Sequence, residues 1–421
     1  MQLRLPQAKD VLKKRVLLRT DYNVPIKKIG NHVAVVDDTR IKRSLKTLRF
    51  LIEQESTVII ATHLGRPNGK FEPDFSTKPI AKSLETIINQ SVIFCGELDI
   101  DKVKTCIKNA PKKSVIMLEN LRFFPEEETN KTEFAKQLAT LADIYVNEAF
   151  STAHRKHASI VGLPKCLPAY AGFGFNEEVS ELYKLISQPK RPFVTVVGGA
   201  KISDKVAAVK HLTQIANIVL VGGGAANNFL AAEGYDTASS YLQEKTAVNG
   251  KNGNYVHFAK NLISKTKRER FLKDGYIPLP KIIYPTDVIA ADELKAKEGY
   301  VVQLYGANGN KRVTDKLMYL DIGPKTIKLY KEIILSAGTV FWNGPMGVFE
   351  NPTFADGTRE IAQAIAKTPA YTVIGGGDTL AAVDAFGLEG RFDYVSAAGG
   401  AALDFLAGKM LPGVRPLVEK R

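Results

Sequence analysis

Ten short runs of β-branched and apolar residues recur along this chain, each bounded by glycine or polar residues and followed by a stretch of helical composition. They occupy residues 16–18, 57–62, 114–118 and 144–146, then 193–197, 218–221, 281–284, 338–342, 372–374 and 394–396. Continuous apolar runs this short suit strands buried on both faces, and their alternation with helical segments predicts parallel sheets of βαβ units. The fold class is therefore α/β. Four runs before residue 150 and six after 190 are too many for one comfortable open sheet, which predicts two Rossmann-like domains. The length of 421 residues agrees with two or three domains of about 100–200 residues each.

Residues 162–192 separate the two groups. Pro164, Pro168, Gly172 and Gly174 precede an acidic helical segment at 176–186, and Pro189 and Pro192 follow it. The expected organisation is an N-terminal domain over 1–172, a linker or hinge helix over 173–192 and a C-terminal domain over 193–405. The stretch TAVNGKNG at 246–253, ahead of a basic helical run at 263–273, has the polarity of a surface insertion.

Composition narrows the partners. Fifty-eight Lys and Arg against 44 Asp and Glu leave a formal charge of +14, of which residues 1–175 carry +9. Such an excess serves either phosphate recognition or a solvated, lysine-rich surface. No RNP, helix-turn-helix or zinc-finger signature and no long basic tract accompanies it, so a nucleic-acid partner is not expected. The three cysteines, Cys95, Cys106 and Cys166, form no CxxC pair, which argues against a disulfide framework or a cysteine zinc site and for buried, inert thiols. His154 and His157 are spaced i, i+3, but Arg155 and Lys156 between them would repel a metal. Neither a signal-peptide-like N-terminus nor a run of 18 apolar residues occurs, which predicts a cytoplasmic protein without membrane contact.

In the second half, four predicted strand ends run straight into glycine clusters and then into helical sequence: VTVVGGAKISDK, IVLVGGGAANNFL, YTVIGGGDTLAAV and DYVSAAGGAALDFL. In a parallel sheet these ends share the carboxyl edge, where glycine lets backbone N–H groups approach an anion at a helix N-terminus. Any single cluster is more commonly just a tight βα turn, whereas four together favour a phosphate-rich ligand. Neither G-x-x-x-x-G-K-[ST] nor G-x-G-x-x-G is present, which excludes a Walker-type NTPase and counts against a dinucleotide dehydrogenase. Lys201 and Lys205, four apart after Gly198 and Gly199, would share one face of a helix and point at the same anion. Asp378, after three glycines, is placed either to hold Mg²⁺ against nucleotide phosphates or to cap the next helix.

The first half instead sets single arginines at strand ends: Arg19 with Asp21, Arg66 with His63, Arg122, and Arg155 with His154, with Arg40 as a fifth. Arginine is suited to bidentate capture of carboxylate and phosphate, so convergence at one sheet edge predicts a small, multiply anionic substrate. Surface ion pairing explains any one of them but not the set.

These motifs, in order RTDYNVP, HLGRP, ENLRFFPEE, AFSTAHRKHAS, GGAKISDK, LDIGPKT, FWNGPMGVFE, GGGDT and LPGV, resemble phosphoglycerate kinase over essentially the whole chain. The resemblance implies a monomeric, glycolytic enzyme that reversibly transfers a phosphoryl group between 1,3-bisphosphoglycerate and ADP, giving 3-phosphoglycerate and ATP with Mg²⁺. It implies a triose-phosphate site of Asp21, Asn23, Arg40, His63, Arg66, Arg122 and Arg155. On the nucleotide side it implies Lys205 for phosphate, Glu350 for the ribose, and the loop Gly376, Gly377, Asp378 and Thr379, with Asp378 as the Mg²⁺ contact. Arg40, Lys201 and Lys205 would stabilise the group in flight, and residues 406–421 would pack back on the N-terminal domain. Where the family shows Ser-Thr-Gly-Gly-Gly-Ala-Ser, this chain has Ser396, Ala397, Ala398, Gly399, Gly400, Ala401 and Ala402, which predicts weaker contacts to the moving phosphate. Tyr319 stands where the family typically has glycine, which predicts a reshaped adenine pocket.

Overall fold

The computed structural model describes residues 1–30, 32–243, 246–248, 251–268, 280–304 and 316–419. The chain divides into two compact units, Met1–Glu181 together with Met410–Arg421, and Leu182–Lys409.

The first unit is built on β1 (Arg15–Arg19), β2 (Thr57–Ala61), β3 (Val92–Cys95), β4 (Val115–Leu118), β5 (Ile144–Asn147) and β6 (Ala169–Ala171). They form one sheet in the order β3-β4-β2-β1-β5-β6, parallel at every pairing. Val16, Leu17 and Leu18 of β1 are all fully buried, as required of a strand covered by helices on both faces. Four of the six strands coincide with runs read from the sequence. The other two are the sheet edges: β3 is half-buried along most of its length, and β6 has three residues. Residues near the C-terminus belong to this unit: the Arg4 N–H donates to the Leu417 carbonyl at 2.8 Å and the Gly413 N–H to that of Ala153 at 2.8 Å.

The second unit repeats the plan with β7 (Phe193–Val197), β8 (Ile218–Val221), β9 (Ile282–Ile283), β10 (Thr339–Asn343), β11 (Tyr371–Gly375) and β12 (Tyr394–Ser396). The order is β9-β8-β7-β10-β11-β12, again all parallel. Its core gathers Trp342, Tyr330, Val194, Ile334 and Ile361. The buried Tyr330 hydroxyl lies 2.7 Å from the Val221 carbonyl and 2.9 Å from that of Ile283, so its polar tip is satisfied. A three-stranded antiparallel sheet, Tyr300–Gln303, Asp287–Ala291 and Met318–Ile322, adjoins this core.

In both sheets the strand order reverses beside the first strand of the unit, between β1 and β5 and between β7 and β10. Loops leaving the carboxyl ends of those neighbours diverge there and open a crevice.

The expected insertion forms an antiparallel hairpin, Thr246–Val248 with Lys251–Gly253. The helix after it is Tyr255–Arg268; residues 269–273 of the basic run lie outside the described residues. The linker helix is Phe173–Ser187, three residues longer at its start than the sequence pattern. Cys95 is buried and Cys106 partly so, but Cys166 is exposed, against the expectation of three buried thiols. Among the described residues no helix is long and apolar enough to cross a membrane.

Candidate functional site

In the first unit the switch-point loops after β1 and β5 meet. Asp21, just beyond β1, pairs with the Arg40 guanidinium and accepts a hydrogen bond from the Ser151 hydroxyl in the loop after β5. Burial raises the Asp21 carboxyl, but His63, Arg40 and the Ser151 hydrogen bond together hold it below its usual range. It is an anion that fixes Arg40. Asn23 accepts the Gly65 N–H at 2.9 Å, and the Gly65 carbonyl receives the Arg122 guanidinium at 2.6 Å. Arg122 also pairs with Glu128 at 3.1 Å. Gly65 can serve both because φ is +61° and the space a Cβ would need is filled by the Phe75 ring. His63 is buried at 4% exposure; burial drives its pKa well below the ordinary value, opposed by Asp21 and reinforced by Arg19 and Arg122. The ring is therefore neutral. Arg66 is exposed and Arg155 half-buried, and no ion pair engages either side chain among the described residues.

Arg19 is buried like Arg122, which is 3% exposed, and unlike Arg40, Arg66 and Arg155. It is 1% exposed, donates from Nε to the Ser159 hydroxyl at 2.8 Å and to the Thr20 carbonyl, and faces the buried Glu127 carboxylate. It supports the carboxyl edge of the sheet from beneath, with its donors committed to protein acceptors. Ser151, Ser159 and Glu127 were not singled out from the sequence; Ser151 and Ser159 sit within the AFSTAHRKHAS motif and Glu127 ends ENLRFFPEE, but nothing local marks Glu127 as buried. His157 is also buried, with Glu127 at 3.9 Å; among the described residues no group of three metal-binding side chains occurs.

In the second unit the loops after β7, β8 and β10 pack backbone to backbone. Gly199 N–H donates to the Pro345 carbonyl at 2.7 Å, Gly223 N–H to that of Met346 at 2.8 Å, and Ala225 N–H to that of Gly199 at 3.0 Å. A Cβ on Gly223 would stand 2.9 Å from the Gly199 nitrogen, which explains glycine at both loops. Lys201 and Lys205 do not share a helical face: residues 201–205 form a bend and turn, and the helix is Val206–Ile215 with Lys205 as its N-cap. The Gly198–Gly199 turn delays the helix, since Gly199 has φ +91°. Lys201 is exposed. Lys205 is partly buried; burial lowers its pKa, opposed by Asp204 and Asp378, which brings Lys205 into the field of the GGGDT loop.

That loop follows β11 and starts the helix Gly377–Ala385, whose N-cap Gly376 has φ +100°. Gly377 and Asp378 are exposed. Thr379 is fully buried, and its hydroxyl accepts the Gly344 N–H at 2.7 Å, so it ties this loop to the one after β10. Glu350 is exposed on a turn. The Ala398 N–H lies 3.4 Å from the Ser396 hydroxyl, and Cβ atoms on Gly399 or Gly400 would meet nothing within 4 Å; the backbone there stays open despite the altered residues. Beside the loop after β8 a cleft of about 220 Å³, mouth included, is lined by Gly223, Asn227, Leu230, Val288, Tyr319 and Met346. Tyr319 is one wall of it, held by a hydrogen bond from its hydroxyl to the Asp236 carbonyl at 2.8 Å.

Residues 7–409 match the family model for phosphoglycerate kinase. The chain belongs to the phosphoglycerate kinase family. It is similar to the phosphoglycerate kinase of Pseudothermotoga lettingae, 43% identical over 412 residues and 98% of either chain, and to that of Moorella thermoacetica, 41% identical over 407 residues and 97% of either chain. Among solved structures it resembles phosphoglycerate kinase from Coxiella burnetii with a TM-score of 0.82, 38% identity and coverage of 97% of this chain and 96% of that one. The enzyme from Pyrococcus horikoshii gives 0.77 at 33% identity, again covering 97% and 96%. The activity that goes with the family is a glycolytic phosphotransferase reaction with a carboxyl group as acceptor.

Proposed function

We propose that the first unit binds the triose phosphate and the second the nucleotide, and that the chain transfers a phosphoryl group reversibly between 1,3-bisphosphoglycerate and ADP to give 3-phosphoglycerate and ATP. The observation that carries this reading is the division of cationic and anion-receptive groups. Arg40, Arg66, Arg122 and Arg155 sit on one sheet edge with Asp21, Asn23 and His63, and glycine-capped helix N-termini with Lys205 sit on the edge of the other.

Transfer of a phosphoryl group asks the protein mainly to position and neutralise. Asp21 keeps the Arg40 guanidinium in place to stabilise charge on the group in flight. A neutral His63 offers hydrogen bonding without adding charge, and Arg66, Arg122 and Arg155 clamp the substrate carboxylate and phosphate. Lys201 and Lys205 serve the same charge from the nucleotide side, and the N–H groups at Gly376, Gly377, Gly399 and Gly400 are available to phosphate oxygens. Glu350 would take the ribose hydroxyls. Asp378 would hold Mg²⁺: it is an exposed hard oxygen donor without a cluster of other carboxylates, the setting in which Mg²⁺ is shared with nucleotide phosphates and water. When bound, Mg²⁺ supplies charge neutralisation at the nucleotide phosphates.

Residues 173–192 are the proposed hinge, and closure about them would exclude water during transfer. The enzyme is expected to act as a cytoplasmic monomer, without nucleic-acid or membrane partners.

With 3-phosphoglycerate, ATP and Mg²⁺ the purified protein should form an acyl phosphate, read by coupled oxidation of NADH. Arg40→Ala should lower the rate at least about a hundredfold. Absence of turnover above background in the unaltered protein would refute the assignment.

A further inference from the structure

One buried amide ties together the loops that carry His63, Arg66 and Arg122. Asn120, just beyond β4, is fully buried. Its Oδ1 accepts the Arg122 N–H at 3.0 Å and the Leu64 N–H at 3.2 Å, and its Nδ2 donates to the Leu64 carbonyl at 2.7 Å and to the Phe75 carbonyl at 2.9 Å. Carbonyls only accept and backbone N–H groups only donate, so these contacts together fix which end of the amide points where. Both peptide planes flanking Leu64 are thereby held, one shared with His63 and the other with Gly65, the residue before Arg66. The Gly65 carbonyl in turn receives the Arg122 guanidinium, which closes a ring of hydrogen bonds. Asn120 grips the Arg122 backbone at one end and, through Leu64 and Gly65, its guanidinium at the other. The Asn120 N–H is itself anchored on Glu119 at 2.7 Å, whose carboxylate also takes the Ser76 hydroxyl and the Thr77 N–H.

Half of this pattern is local. Asn120 caps the short turn Leu121–Phe123, a duty that Asp or Ser performs as well as Asn. The long-range half gives both side-chain N–H groups to the carbonyls of Leu64 and Phe75, and only a carboxamide can supply them while still accepting on its oxygen. We propose that Asn120 is a positioning residue for substrate binding, setting the spacing of Arg66 and Arg122 so that both engage the anionic groups of one three-carbon ligand. This rests on the assignment of the first unit to the triose phosphate. Asn120 has no exposed surface and its side-chain donors and acceptor are used within the protein, so it acts through the two arginines and not by touching substrate.

The test is Asn120→Asp in the coupled assay. Aspartate keeps the cap but sets a second oxygen against the Leu64 and Phe75 carbonyls, which should move the His63–Arg66 loop away from Arg122. KM for 3-phosphoglycerate should rise at least about tenfold, since misplacement of clamping groups by about 1 Å suffices for losses of that size, while KM for ATP stays within about twofold. Asn120→Ser, which also caps but withdraws the bridge without repulsion, repeats the measurement should aspartate disturb folding. KM does not depend on the amount of folded enzyme, so a role confined to capping or stability would leave both KM values in place. In an Arg122→Ala background the effect of Asn120→Asp on KM for 3-phosphoglycerate should shrink to within about threefold, because the spacing has lost one of its ends. An unchanged KM for 3-phosphoglycerate in both variants, or an equal rise in both backgrounds, overturns the inference while the kinase assignment stands. No turnover by the unaltered enzyme overturns both.

Discussion

At the scale of single residues, identical letters at equivalent strand ends do different work. Arg19, Arg66, Arg122 and Arg155 all follow or end strands of the first sheet, yet Arg19 is sealed beneath the edge by Ser159 and Thr20, whereas Arg66 is exposed. Removing a buried cation leaves its partner uncompensated, here Glu127 in a fully buried site. Arg19→Met should therefore cost on the order of 3–5 kcal/mol of stability, seen as a lower denaturation midpoint. Arg66→Ala should change stability by no more than about 0.5 kcal/mol, while loss of a charge-assisted contact raises KM for 3-phosphoglycerate by at least about tenfold. Equal stability losses in the two variants would contradict this division. Nothing in the local sequence separates the two arginines, because burial of Arg19 depends on Ser159, 140 positions away.

At the scale of elements, the linker helix shows the same dependence on remote residues. Three N–H groups of the first turn of Phe173–Ser187 are satisfied from elsewhere: Phe173 donates to the Thr47 hydroxyl at 2.8 Å, Gly174 to Glu148 Oε1 at 2.8 Å, and Phe175 also to the Glu148 carboxyl. Thr47 in turn donates to Glu148 Oε2 at 2.8 Å. Periodicity over 176–186 reveals the body of the helix but not this start, because no cap of its own precedes it. The strands follow a similar rule. Interior strands such as β1 and β5 are legible as unbroken apolar runs, while β3 and β6 are short edges whose burial comes from a single neighbouring strand. The Lys201 and Lys205 pattern misled because glycine geometry at 198–199 postpones the helix that the spacing implies. Close packing around the cap yields a prediction: a Cβ on Gly172 would lie 1.4 Å from Glu148 Oε2, so Gly172→Ala must displace the carboxyl. It should destabilise the first unit by about 2 kcal/mol or more, measured by denaturant unfolding, and an unchanged midpoint would remove Glu148 from this role.

At the scale of the whole molecule, buried titratable groups pull stability in opposite directions with pH. Burial, reinforced by Arg19, Arg122 and Arg155, lowers His157 to about 3, and His63 is lowered in the same sense. Below about pH 6.5, the ordinary histidine value, the unfolded chain takes up protons that these rings refuse, so their contribution is present above 6.5 and is lost as pH falls. Glu148 and Asp321 act with the opposite sign. Burial raises both to about 8, against the hydrogen bonds each accepts from backbone N–H groups. The folded protein keeps protons that an unfolded carboxyl releases near pH 4, so their contribution is present at low pH and is lost as pH rises toward 8. Each group alters stability by about 1.4 kcal/mol per pH unit within its window. In the first unit, His63 and His157 oppose Glu148 between about pH 4.5 and 6.5, whereas above 6.5 only the carboxyl slope remains; in the second unit Asp321 declines in the same sense as Glu148. Stability should therefore fall between pH 6.5 and 8. Urea unfolding across that interval should show a shallower decline in Glu148→Gln and in Asp321→Asn, because neither amide has a proton to lose. A decline of equal slope in all three proteins would mean that both carboxyls are already ionised in the folded chain.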